Sequence, residues 1–275
     1  MEKSKERLEI LSKIEMLEKT KQWDISPEND PETIELKPNK VDYLNKKISS
    51  KIASYFANIM GARYFDKMLK NKQMIIENVL GIENYLAVKG GAIITCNHFH
   101  PCDNYAVYQA IKPYLNGRRL YKVIREGNYT NYPNPIGFFF RHCNTLPLSS
   151  NMETMKKFMS AVSVLLNRGE KILVYPEQAL WWNYKKPRPC KSGAFRFAVT
   201  NNVPVIPMFI TMRDSDIVDP DGFFVQKYTI NILPPIYPKK DLDKKQNIEY
   251  LKNKNYELCV HTYEDFYKTK LTYQD

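Results

Sequence analysis

The chain holds only four histidines, His98, His100, His142 and His261, and two of them fall in one short run, Cys96-Asn97-His98-Phe99-His100-Pro101-Cys102-Asp103. That run follows directly on the apolar stretch Gly90-Gly91-Ala92-Ile93-Ile94-Thr95. In an open α/β sheet, side chains just beyond the carboxyl end of a strand line the reactive crevice. The interval His98-x4-Asp103 sets a carboxylate within one loop turn of an imidazole. A carboxylate that accepts from one ring nitrogen fixes the tautomer and makes the other nitrogen more basic. Such a pair can take the proton from a hydroxyl that attacks a carbonyl, a contribution of ~10²–10⁴ in rate. The structural alternative is that His98 braces a turn while Asp103 caps the helix that follows. A metal site competes for the same run, because Cys96, His98, His100 and Cys102 alternate and an extended strand would set all four on one face. Pro101 breaks that geometry and no second ligand pair is present, so no metal is expected. Cys96 and Cys102 read as small buried side chains.

The elements that must position this run follow from the hydrophobic periods. Leu8, Leu11, Ile14 and Leu17 share one face over residues 4–20, a short helix packing on the main body. Residues 22–40, with three prolines and five acids, read as a linker. A second amphipathic helix is expected over 41–70. Val41, Leu44, Ile48, Ile52, Tyr55, Phe56, Ile59 and Ala62 share its apolar face, and Lys46, Lys47, Lys51, Arg63 and Lys67 lie mostly off it. From residue 74 strands are expected at 74–86, 90–96, 119–127, 171–177, 203–211 and 227–234, with Gly90-Gly91 turning between the first two. Helices are expected at 103–115, 152–167 and 240–272, and a loop at 128–150. Strands alternating with helices imply the α/β class. The expected architecture is a single domain with a mixed, largely parallel sheet flanked by helices and preceded by N-terminal amphipathic helices. The divisions fall at 1–40 (helix and acidic linker), 41–72 (amphipathic, membrane-docking or core-packed helix) and 73–275 (catalytic α/β domain).

Charge and hydropathy narrow the partners. Residues 1–40 carry 8 bases and 10 acids, and the rest of the chain carries 33 bases and 20 acids, a body of net charge +13. It calls for an anionic partner: a phosphate-bearing substrate, an acidic carrier protein, an anionic bilayer or nucleic acid. No RNA- or DNA-binding signature accompanies the aromatics, so nucleic acid is not expected. Lysine outnumbers arginine 31 to 10, as an AT-rich bacterial genome would produce. No run of eighteen apolar residues is present and the first residues lack an apolar core, so neither a spanning helix nor a signal peptide is expected. The five cysteines are an odd number, which reads as reduced thiols in a cytoplasmic protein.

Four blocks together resemble the PlsC-like glycerolipid acyltransferase superfamily. Asn97-His98-x4-Asp103 is similar to its NHxxxxD block, and Tyr175-Pro176-Glu177 to its FPEG block. Lys191-Ser192-Gly193-Ala194-Phe195 is similar to its K-x-G-A segment, and Val203-Pro204-Val205-Ile206-Pro207 to its vPvvPv strand. The resemblance implies acyl transfer from a thioester, acyl-CoA or acyl-carrier protein, to a hydroxyl of a membrane lipid, with no further cofactor. It implies His98 as base, Asp103 as its orienter, Asn97 within the block, Glu177 on the acceptor and backbone N–H groups near Gly193 at the acceptor or oxyanion. Two departures stand out. Gln178 and Leu180 replace the Gly and Arg of FPEGTRS, and Ser149 stands where another block ends in Arg. Both arginines are regarded as phosphate ligands in the family. Either Arg141, Lys185, Lys186, Arg188 and Lys191 substitute, or the acceptor is not lysophosphatidate. The expected activity is acylation of a lysophospholipid such as 1-acyl-glycerol-3-phosphate, by a protein peripheral on the inner face of the cell membrane. Helix 41–70, Phe138-Phe139-Phe140 and Trp181-Trp182 are its expected anchors. The alternatives are a glycolipid or aminolipid acceptor and, in a different class, a basic nucleic-acid-binding protein.

Overall fold

Among the described residues, seven strands build one sheet: β1 (Ile75–Leu80), β2 (Ala92–Thr95), β3 (Leu120–Ile124), β4 (Thr145–Pro147), β5 (Lys171–Val174), β6 (Val205–Val218) and β7 (Phe224–Ile232), in the order β1-β7-β6-β2-β5-β3-β4. The structure, a computed structural model, describes residues 2–29 and 31–274. β6 and β7 pair antiparallel, and every other neighbouring pair is parallel. The central strands β2 and β5 are buried on both faces, as continuous apolar runs require. Alternation sends Ile94 and Leu173 into one core, and Ile93 and Ile172 into the other. Helices α7 (Met152–Asn167), α8 (Gly193–Thr200) and α9 (Lys244–Tyr267) cover the second face, while α4 (Asp103–Ile111) covers the first. Asn151 caps α7 by accepting from Glu153 N and Thr154 N, and Asp243 with Gln246 forms a capping box on α9. This parallel arrangement brings the carboxyl ends of β2, β5, β3 and β4 to one edge.

Several expected boundaries move. The strand expected over 74–86 ends at Leu80, and a short helix α3 (Ile82–Leu86) follows. Gly81 turns the chain at φ 76°, with its missing Cβ only 2.1 Å from Ile232 O, a place no other residue fits. The expected loop 128–150 instead contains most of α5 (Glu126–Thr130), all of α6 (Ile136–His142) and β4. The expected helix 41–70 starts only at Ile48, because Asp42 accepts from Lys46 N and Lys47 N and holds a turn there.

That helix, α2 (Ile48–Lys70), buries an unexpected face. Ser54, Ala57 and Gly61 point inward, and a Cβ on Gly61 would sit 3.5 Å from Cys143 Sγ. Small side chains let α2 approach α6 closely. Ile48, Ile52, Tyr55, Phe56, Met60 and Tyr64 are therefore left exposed, and Ile59 is half-buried. Trp181 and Trp182 are corrected the other way, being 0% and 5% exposed. Ile10, Ile14 and Leu17 of α1 (Lys5–Lys19) pack over them, and Trp181 Nε1 donates to Ile25 O at 2.9 Å. They are core residues and cannot anchor at a headgroup layer.

Candidate active site

Asn97 turns the chain out of the sheet. Its Nδ2 donates to Ile210 O at 3.0 Å and its Oδ1 accepts from Ile210 N at 2.8 Å, so the side chain takes over the pairing with β6 where β2 stops. The loop then doubles back to Asp103, the first residue of α4, where a negative charge is favoured by the helix N-terminus. Asp103 is fully buried. Its Oδ2 lies 2.8 Å from His98 Nδ1 and accepts from Phe99 N at 3.0 Å and His100 N at 3.2 Å, while its Oδ1 accepts from Tyr175 OH at 2.5 Å. Bracing the turn and orienting the imidazole are thus one arrangement. The His98 ring is stacked on Tyr175, with centroids 4.0 Å apart and planes 18° apart. Its side chain is one-fifth exposed, at 20%, and Nε2 has no hydrogen-bond partner among the described residues.

A buried ion pair supports the loop from behind. Arg188 is 1% exposed and Glu177 6%. Glu177 Oε2 accepts from Arg188 Nη2 at 2.8 Å, Arg188 Nε at 3.2 Å and His98 N at 3.3 Å, while Oε1 accepts from Arg188 N at 2.9 Å. Arg188 also donates to His98 O, Ala179 O and Trp23 O, and lies over the Trp181 ring. Trp181 N and Asn183 N donate to His98 O and Phe99 O. The structure therefore places Glu177 and Arg188 beneath the dyad, each committed to the loop.

The remaining predicted site residues lie apart from the dyad's contacts. Gln178 is exposed at φ 66°, a left-handed conformation that explains the family's glycine at this point. Lys191 pairs with Asp24 at 2.9 Å and Lys186 with Glu18 at 2.6 Å. Arg141 donates to Tyr132 O and Asn134 Oδ1. Gly193 opens α8 with free space where a Cβ would stand. Ser149 donates to Glu126 Oε1 at 2.7 Å and Leu36 O at 3.1 Å, and Glu126 also accepts from Leu36 N and Ser150 N. Burial pushes the Cys96 thiol up and the Cys102 thiol to about 11, while it pulls His100 below its usual range. Among the described residues no group of three or more His, Cys, Asp and Glu side chains converges as metal ligands would. Sequence reasoning missed the Tyr175 hydroxyl; the signal was a tyrosine where the resembled block has phenylalanine.

The acyltransferase family model matches residues 76–211. That segment is an acyltransferase domain. All four resembling blocks lie inside it. The crystal structure of the 1-acyl-sn-glycerophosphate (LPA) acyltransferase PlsC from Thermotoga maritima is similar, at 17% identity and TM-score 0.49, over 84% of this chain and 87% of that chain. No curated protein sequence matches this chain.

Proposed function

We propose that the enzyme transfers a fatty acyl group from acyl-CoA or acyl-carrier protein to a hydroxyl of a lysophospholipid, with His98 as general base. The observation that carries this is the 2.8 Å His98–Asp103 contact at the carboxyl end of β2 within the acyltransferase domain. Asp103 holds the proton on Nδ1 and leaves Nε2 to receive the acceptor's hydroxyl proton. The acceptor oxygen forms its bond to the thioester carbonyl carbon, giving a tetrahedral oxyanion. Collapse breaks the carbon–sulfur bond, and His98 returns its proton to the leaving thiolate. The thioester is already activated, so no covalent enzyme intermediate is needed.

A non-phosphate acceptor is the second reading, and the commitments of the basic residues favour it. Arg188 is buried against Glu177, Lys186 and Lys191 are paired, and Ser149 faces the Glu126 carboxylate. No helix among the described residues is long and apolar enough to cross a membrane. The exposed stripe of α2 supports docking at a lipid surface, with Lys47 exposed just before the helix and Lys51 exposed on its first turn. The test is a panel of lysophospholipids, lysoglycolipids and aminolipids, each offered with acyl-CoA and with acyl-carrier protein. His98→Ala and Asp103→Asn are expected to lose at least a hundredfold in turnover while folding normally. Near wild-type turnover in His98→Ala would end the general-base assignment.

A further inference from the structure

We propose that Tyr175 is a positioning residue of the dyad, its hydroxyl holding Asp103 and its ring holding the plane of His98. The proposal presupposes His98 as general base. Tyr175 follows the last residue of β5, on the sheet face of Leu173, and its side chain touches both members of the pair. Its hydroxyl donates to Asp103 Oδ1 at 2.5 Å, within the range of O–H···O⁻ bonds. Oδ2 carries three contacts, whereas among the described residues Tyr175 is the one donor to Oδ1. The phenol is held well above its usual range by burial and by the Asp103 charge, so it stays a donor at every working pH.

The hydroxyl does two things. It stops the carboxylate rotating about its Cβ–Cγ axis, which would spoil the line to Nδ1. It also stabilises the carboxylate's charge, which weakens its hold on a protonated imidazole. Other groups facing the dyad leave this control intact. Cys96, Cys102 and Tyr228 are kept neutral by burial. His100 is kept neutral likewise, with Arg7 and Asp219 acting on it in opposite senses, and Glu177 is balanced by Arg188. Phenylalanine, which stands here in the resembled block, could stack but not donate.

Tyr175→Phe removes one oxygen and keeps the ring. For a lysolipid and acyl-CoA pair turned over by the wild type, kcat is expected to fall roughly three- to tenfold with KM within about twofold. The acid limb of the kcat/KM profile is expected to move up by about half a pH unit, because the imidazole then holds its proton more tightly. Nitrogen-15 histidine NMR gives a readout independent of substrate: the His98 ring, assigned with His98→Gln, should titrate at correspondingly higher pH in Tyr175→Phe. Tyr175→Leu, which also removes the stack, should lose more kcat than Tyr175→Phe. A folded Tyr175→Phe whose acid limb and His98 titration superimpose on the wild type overturns the proposal while the dyad stands. An active His98→Ala overturns both.

Discussion

Glu177→Gln separates two roles for this residue. In the family's terms it contacts the acceptor, and in this structure it neutralises a buried guanidinium. Four donors converge on it: Arg188 N, Nε and Nη2, and His98 N. Glutamine keeps one acceptor oxygen, but its amide group would face donors and leave Arg188 without its counter-charge. Removing one partner of a buried pair costs ~3–5 kcal/mol, and the retained oxygen points to the lower end, about 3 kcal/mol. At ~2–4 °C per kcal/mol for a chain of nearly this size, the melting temperature should fall by about 6–12 °C. Differential scanning calorimetry with parallel steady-state kinetics measures both consequences. The expected result is that melting loss with reduced kcat and KM changed less than about threefold. Replacing both partners with apolar residues, Glu177→Leu with Arg188→Met, should cost less stability than Glu177→Gln alone. A Glu177→Gln protein melting within about 2 °C of wild type, with KM raised tenfold or more, would refute the reasoning and restore the acceptor role.

Three further outcomes are expected. Ile52→Asp with Phe56→Asp, both more than half exposed, should leave the melting temperature unchanged and reduce flotation with anionic liposomes at least tenfold; unchanged flotation would move the docking surface elsewhere. Gln178→Gly relieves a left-handed conformation and should be neutral or stabilising by up to about 1 kcal/mol in urea unfolding, so a clear loss would count against the strain. Burial holds His100 neutral below its usual 6.5, so the unfolded chain takes up a proton first and stability falls as pH drops below about 6.5; His100→Asn should flatten that part of a melting-temperature profile, and an unaltered slope would exclude His100 as its source.

The parts legible in sequence are those set by local pattern. Ile93-Ile94 and Ile172-Leu173 announced buried strands, and the His98–Asp103 spacing announced the turn between β2 and α4. The parts that were not legible depend on distant partners. Tyr55 and Phe56 sit on the richer apolar face of α2, yet it is Ala57 and Gly61 that meet α6, because close helix approach selects small residues. Trp181 and Trp182 resemble surface anchors until α1 is laid over them from more than 150 residues away. Arg188 and Lys191 looked like spare bases in a basic segment, and their acids come from Glu177 and from Asp24 in the linker. In the 128–150 segment, prolines and a run of phenylalanines obscured α6, which is only seven residues long.

The contacts of α1 set an order on events during synthesis. Glu18 on this helix receives Lys186 at 2.6 Å and Gln274 N at 2.9 Å, and Trp23 O just beyond it receives Arg188. Ile10, Ile14 and Leu17 can therefore find Trp181 and Trp182 only after the roughly 165 residues that follow the helix have been made, which at ~5–20 residues per second is on the order of eight to thirty-three seconds. Throughout that interval a freshly made chain carries an apolar helix face with nothing to cover it. Its first helix is then among the last to dock, and the loop behind His98 acquires its backing only at that moment.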